Sequence, residues 1–165
     1  MKKKIIITSL FIVILLSITV PIYALSPSSN QIYKGIDVSE WQGNIDFAKV
    51  KEEGKEIVYI RAGQGFSYKD AKFERNYEQA KKNGLKIGVY HYVTARSVED
   101  AKIQAKFFAS LISNKQIDCK LAMDFESFGN LNSNQINEIA LAYMRELENL
   151  TKKEVIVYSN TYDAK

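Results

Sequence analysis

One cysteine and one histidine in 165 residues narrow the chemistry open to this chain. A single thiol, Cys119, cannot build a disulfide framework. It stands directly before an apolar run and reads as a small buried side chain. A lone imidazole, His91, is a poor start for a zinc centre and reads as a hydrogen-bonded structural residue. A phosphate-binding loop is missing as well. The stretch "RAGQGFSYKD" is the one glycine-bearing candidate, and it has neither the Lys-Ser/Thr of a P-loop nor the glycine spacing of a dinucleotide fingerprint. No serine or cysteine has a base beside it in a nucleophile pattern.

Excess charge and a long apolar span are equally scarce. The formal net charge is +4, and Lys2, Lys3 and Lys4 supply three of those positive charges. They precede an apolar run, Ile5 to Val20, which is short beside the roughly 20 residues of a spanning helix. Ile22 and Ala24 fit the specificity positions of a cleavage site. Residues 1–24 are therefore expected to be a secretory signal peptide, and the destination to be outside the cell or in its wall. Only that segment, left uncleaved, would attach the chain to a membrane. Beyond it the chain is close to neutral, and the Lys and Glu residues at 49–56 and 69–82 mix in sign at helical spacing. No nucleic-acid partner is implied. Residues 25–32, which include "SPSSNQ", read as a flexible leader, and residues 33–165 as one domain with one core.

What the chain does contain is an alternation. Short runs rich in β-branched or aromatic residues, around Ile36, Val58, Val89, Met123 and Ile156, read as strands. Helices are predicted between them, over Phe47–Glu53, Ala71–Asn83, Val98–Ser113 and Asn134–Leu150. Asp46 and Ser97 stand at N-cap positions, Ser97 with Asp100 resembles a capping box, and Gly54 and Gly84 suit left-handed C-caps. In the last helix Ile136, Ile139, Ala140, Tyr143, Met144, Leu147 and Leu150 recur at three and four, marking one buried face. Such alternation calls for parallel strands joined by right-handed crossovers, either as a doubly wound sheet or as a (β/α) barrel.

Both architectures place chemistry at the carboxyl ends of the strands. There the first strand brings Asp37, followed by Ser39, Glu40 and Trp41. The second brings Arg61, the third Tyr90, His91 and Tyr92, and the fifth Tyr158. The fourth, within "KLAMDFES", ends in Asp124 and Glu126; residues two apart share a face of a strand, so these carboxylates project together. An Asp, Asp, Glu set would also suit Mg²⁺ or Ca²⁺. Carboxylates among tyrosines and a tryptophan fit glycoside hydrolysis best, because that reaction needs one protonated acid and one stabilising charge, with no cofactor or metal. Crowded like charges push one carboxyl toward its protonated form. Trp41, Tyr90 and Tyr92 would offer flat faces to sugar, although tyrosines at strand ends serve equally well as packing.

These residues lie in stretches that carry a resemblance. "GIDVSEWQGNIDFAKVKEEG", "VYIRAGQGFSYKDAKFERNYEQAKKNGLKIGVYHYV", "AMDFE" and "VYSN" resemble, in order, the motifs of the family 25 glycoside hydrolases, the Chalaropsis-type lysozymes. The resemblance implies an irregular TIM-like (β/α)5β3 barrel, present here only through about the fifth strand, so that residues 33–165 would be a C-terminally truncated catalytic domain. It implies a secreted, monomeric enzyme that cuts the β-1,4 bond between N-acetylmuramic acid and N-acetylglucosamine in peptidoglycan. By motif position Glu126 would be the general acid, Asp124 its partner and Asp37 the third carboxylate. Trp41, Arg61, Tyr90, Tyr92 and Tyr158 would contact the glycan. Asp70, in "D..F..N", would orient groups at the rim or cap the helix that follows. A truncated, non-catalytic wall-binding protein and a chitinase-type hydrolase are the alternatives.

Overall fold

The computed structural model describes residues 31–160. The expected signal peptide and most of the leader lie outside the described residues, as do residues 161–165. The element order is β1 (Gly35–Val38), a 3₁₀ turn (Glu40–Gln42), α1 (Phe47–Glu52), β2 (Ile57–Gln64), β3 (Tyr68–Lys69), α2 (Phe73–Lys82), β4 (Lys86–Tyr92), α3 (Val98–Ile112), β5 (Leu121–Asp124), α4 (Ser133–Thr151) and β6 (Val155–Tyr158). The chain is thus α/β, with β1, β2, β4, β5 and β6 joined in that order by parallel ladders. Strands follow the chain without the reversal that defines a doubly wound sheet. The two-residue β3 is an addition to the expected strands: it folds back antiparallel on the end of β2, pairing Gly63 with Lys69 and Gln64 with Tyr68.

Helix boundaries follow cap chemistry. The Asp46 carboxylate accepts from the amides of Ala48 and Lys49, and the Ser97 hydroxyl accepts from Asp100 N at 3.1 Å. The Asp100 carboxylate reaches past the cap to Arg96 N instead of closing a reciprocal box on Ser97. Gly54 and Gly84 take the left-handed conformation, with φ of 75° and 68°, that lets the chain turn directly into the next strand. α2 starts at Phe73, two residues later than the periodicity suggests, and its cap residue, Lys72, makes no side-chain bond. α4 opens on a full capping box between Asn132 and Gln135. It buries Ile139, Tyr143 and Leu147, whereas Leu150 at the far end of the expected face is half exposed.

The two faces of the sheet differ. Val58, Ile60, Ala62, Ile87, Val89, Leu121 and Met123 are fully buried in the main core, together with Phe73, Phe108, Tyr143 and Leu147 from the helices. His91 lies there too. Its Nδ1 is 3.0 Å from the Tyr143 hydroxyl and its ring stacks on Phe108. Burial holds its pKa down to about 3, an effect only partly opposed by the nearby Gly65 backbone. It is a neutral core residue, as its isolation in the sequence suggests.

The opposite face encloses a cavity of about 550 Å³, lined among others by Asp37, Tyr59, Tyr90, Asp124, Ile156 and Tyr158. β1 and β6, at opposite edges of the sheet, both line it, so the sheet curls around the cavity. Among the described residues no ladder joins those two edges. Tyr59, which lines the cavity, lies across Gly88, its partner on β4, and donates to Lys120 O at 3.1 Å. A Cβ on Gly88 would stand 2.5 Å from the Tyr59 ring. Gly88→Ala is expected to lower stability by about 1–3 kcal/mol, because the tethered ring cannot retreat; urea denaturation checks it, and an unchanged midpoint would count against this packing.

Candidate active site

The carboxyl ends of the strands gather the acids around the mouth of that cavity. Asp124 closes β5 with the Cα register Tyr92–Asp124–Tyr158 across β4, β5 and β6. Its backbone is locked from one side, since the Asp124 carbonyl accepts from Val93 N at 2.7 Å, while the next amide, Phe125 N, donates to Tyr158 O at 3.0 Å. Its side chain is only 9% exposed, and buried Oδ1 has no hydrogen-bond partner among the described residues. A buried carboxylate in that state favours its neutral form. Burial first, then the charges of Glu126 and Asp37, push the Asp124 carboxyl up to about 7, against the opposing pull of Arg61. Glu126 is half-buried and Asp37 exposed, so the three carboxylates form a gradient from the inner wall outward.

The tyrosines frame this row. Tyr90, half-buried, has its phenol pushed up to about 12 by burial, with further contributions from Asp37 and Asp124. The Tyr92 phenol is also raised, by burial and then by Asp124 and Glu126. Both hydroxyls therefore stay protonated and able to donate across the physiological range. Tyr158 is 59% exposed on the edge strand β6. Trp41 is 79% exposed on the 3₁₀ turn after β1. That turn is held firm by a capping box: Ser39 N donates to Gln42 Oε1 at 2.7 Å, Trp41 N donates to Ser39 Oγ at 3.3 Å, and Gly43, with φ of 67°, ends it. An exposed indole on a rigid turn is a preformed flat surface.

Two residues expected at the rim sit beneath it instead. Arg61 is buried, with Nε 2.7 Å from Asp70 Oδ2 and Nη2 3.0 Å from Glu40 Oε1. Asp70 is 2% exposed; the same Oδ2 accepts from Glu40 N at 3.1 Å, and Oδ1 accepts from Lys72 N at 2.9 Å. It is not the N-cap of α2: Oδ2 ties Arg61 and the loop after β1 to the loop after β3, and Oδ1 holds Lys72 N within that second loop. The bulge in β2 immediately after Arg61 sets the local strand geometry.

Arg96, in the loop before α3, has no forerunner in the sequence reading. Its guanidinium donates to Ser127 O at 2.6 Å and Ser127 Oγ at 3.0 Å, and Gly129, with φ of 58°, packs against it. It thereby anchors the loop that carries Glu126. The two partners are separated by 31 residues, and a lone arginine before a helix cap gives no sign of the pairing. Among the described residues no group of three or more His, Cys, Asp or Glu side chains is disposed to hold a metal ion.

A sequentially ordered parallel α/β sheet with a carboxylate row, one member poised to hold a proton, and tyrosines around a cavity is the build of a glycosidase. The chain belongs to the glycosyl hydrolases family 25, whose family model matches residues 36–162. It is similar to an autolytic lysozyme of Clostridium acetobutylicum, at 46% identity over 93 residues, covering 56% of this chain and 28% of that protein. Among solved structures, it superposes on the bacterial lysozyme of Streptomyces coelicolor with a TM-score of 0.66 at 28% identity, over 79% of this chain and 64% of the other. The modular autolysin LytC of Streptococcus pneumoniae, solved in complex with a synthetic peptidoglycan ligand, matches with a TM-score of 0.71 at 26% identity, over 77% of this chain and 32% of that one. The chain spans half or less of the length of the curated relatives it matches.

Proposed function

We propose that this protein is a secreted muramidase that hydrolyses the β-1,4 bond between N-acetylmuramic acid and N-acetylglucosamine in peptidoglycan, acting in the cell wall as a monomer. The observation that carries the reading is the buried, unpartnered Asp124 carboxyl beside Glu126 at a cavity mouth edged by tyrosines. Lysozyme relatives and a neighbour holding a peptidoglycan ligand support the choice of substrate.

In this reading the fold is the TIM-like (β/α)5β3 barrel of the family, and the catalytic groups are Glu126, Asp124 and Asp37. Asp124 holds a proton near neutral pH, because burial first and then the charges of Glu126 and Asp37 disfavour its ionised form. Glu126, the more exposed of the two, is the general acid that gives a proton to the glycosidic oxygen as the C1–O bond breaks. The negative charge left on the carboxylate row stabilises the cationic sugar centre, and water then adds to C1 as its proton goes to the Glu126 carboxylate, which restores the acid. Trp41, Tyr90, Tyr92 and Tyr158 supply ring faces and hydroxyls to the glycan, while Arg61 and Asp70 hold the loop that presents Trp41.

The test is the identity of the new reducing ends. Digestion of purified peptidoglycan followed by borohydride reduction and mass spectrometry is expected to give reduced N-acetylmuramic acid. Reduced N-acetylglucosamine, or faster cleavage of chitin oligomers than of peptidoglycan, would overturn the proposal.

A further inference from the structure

Arg61 is the cation whose charge opposes the raised carboxyl of Asp124, yet its hydrogen bonds go to two other carboxylates. Asp124 is faced by Glu126 from the loop after β5, Asp37 from β1, Arg61 from β2, Tyr90 and Tyr92 from β4, and Tyr158 from β6. Arg61 is the cation that bears on Asp124 itself, and Arg96, whose charge reaches Tyr92, is bonded to Ser127. A guanidinium beside an unpaired carboxylate ordinarily forms a fork with it. Here two of its nitrogens are engaged by other acids, Nε by Asp70 at 2.7 Å and Nη2 by Glu40 at 3.0 Å. Glu40 is itself held, by its own amide on Asp70 and by the Tyr68 hydroxyl on its carboxylate, while the Tyr68 ring lies 5.9 Å from the guanidinium carbon. Two carboxylates on one guanidinium leave the cluster with a net negative charge. Oδ1 of Asp124 is meanwhile left without a donor.

We propose that Glu40 and Asp70 act as a charge clamp that ties up Arg61 and offsets its charge, so that the Asp124 carboxyl is left without a cationic partner at the mouth. Glu40 is then a positioning residue: it acts on the acids through Arg61. The idea rests on the muramidase reading for its catalytic consequence, but the electrostatic claim stands apart from it.

Glu40→Gln removes one charge of the clamp while keeping an acceptor for Arg61. The site becomes more positive, the ionised form of Asp124 gains, and its proton leaves at lower pH. Two measurements test this. The first is the titration of the Asp124 side-chain carboxyl by ¹³C NMR in wild type and Glu40→Gln, which needs no activity; a downward shift of at least about 0.5 pH unit is expected. The second is the pH profile of wall hydrolysis, whose basic limb is expected to move down by a similar amount, with kcat lost mainly above neutral pH and KM little changed. Glu40→Asp, which retains the charge, is expected to restore both. An Asp124 titration that stays put or moves upward in Glu40→Gln overturns the clamp. So does a uniform loss of kcat at every pH with no shift, since that is the mark of a merely structural residue. If wild-type protein cleaves no wall, the muramidase reading fails, and the NMR titration still decides the clamp.

Discussion

Purified cell walls treated with Glu126→Gln are expected to clear at least about 100-fold more slowly than with wild type, because positioned proton transfer contributes about 10²–10⁴-fold to such reactions. The amide keeps the shape of the side chain but has no proton to give to the leaving oxygen. Glu126 is half-buried on an irregular loop, and the anchor of that loop is the Arg96 pair with Ser127, which the substitution does not touch. Thermal unfolding should therefore be nearly unchanged. Equal clearance by the two proteins would remove Glu126 from the mechanism and favour a wall-binding role.

Asp124→Asn should separate activity from stability in the opposite sense, abolishing clearance while making the fold more resistant to heat. The Asp124 carboxyl lies at about 7 in the folded chain against an ordinary value of 3.8, so between those limits the native state binds more protons than the unfolded state. Stability therefore falls as pH rises through this window, and the full cost is present above about 7. An asparagine carries no charge to desolvate. The gain should reach about 1–2 kcal/mol above neutral pH, discounted because the mouth is open to solvent, and vanish below pH ~4. Melting curves of both proteins at pH 4 and pH 8 check the sign. A variant that melts lower than wild type at pH 8 would show that Asp124 is held by favourable contacts instead of isolated.

The stability change and the lost activity have one cause. The same burial and like-charge crowding that make Asp124 costly to fold also let its carboxyl hold a proton near neutral pH. A carboxylate satisfied by donors would fold more cheaply and would give up its proton far below the working range.

Much of this was legible in the chain, and the limits of that legibility are physical. The α/β class followed from alternating apolar runs and helical periods, and the caps at Asp46, Ser97, Gly54 and Gly84 followed from local backbone chemistry. The misses occur where a tertiary contact outweighs the local signal. β3 is two residues long and exists because Tyr68 and Lys69 pair with the end of β2, which no propensity reveals. α2 starts late: Asp70, a plausible cap by sequence, is paired through Oδ2 with Arg61 and through Oδ1 holds Lys72 N in a turn that precedes the helix.

Within the site the division is equally clear. By itself the sequence determined that Asp124 and Glu126 emerge together from an apolar strand, because side-chain alternation in a strand is a property of consecutive residues. It also brought Asp37, Trp41, Tyr90, Tyr92 and Tyr158 to the same end of the sheet, because parallel strands share one direction. Only the tertiary structure decided which charges are free. Arg61 is claimed by Glu40, 21 positions earlier, and by Asp70, 9 positions later, while Arg96 goes to Ser127 and Asp124 is left without a partner. The physical reason is that ion pairing and desolvation depend on distance through space and on exclusion of water, and neither is set by position along the chain.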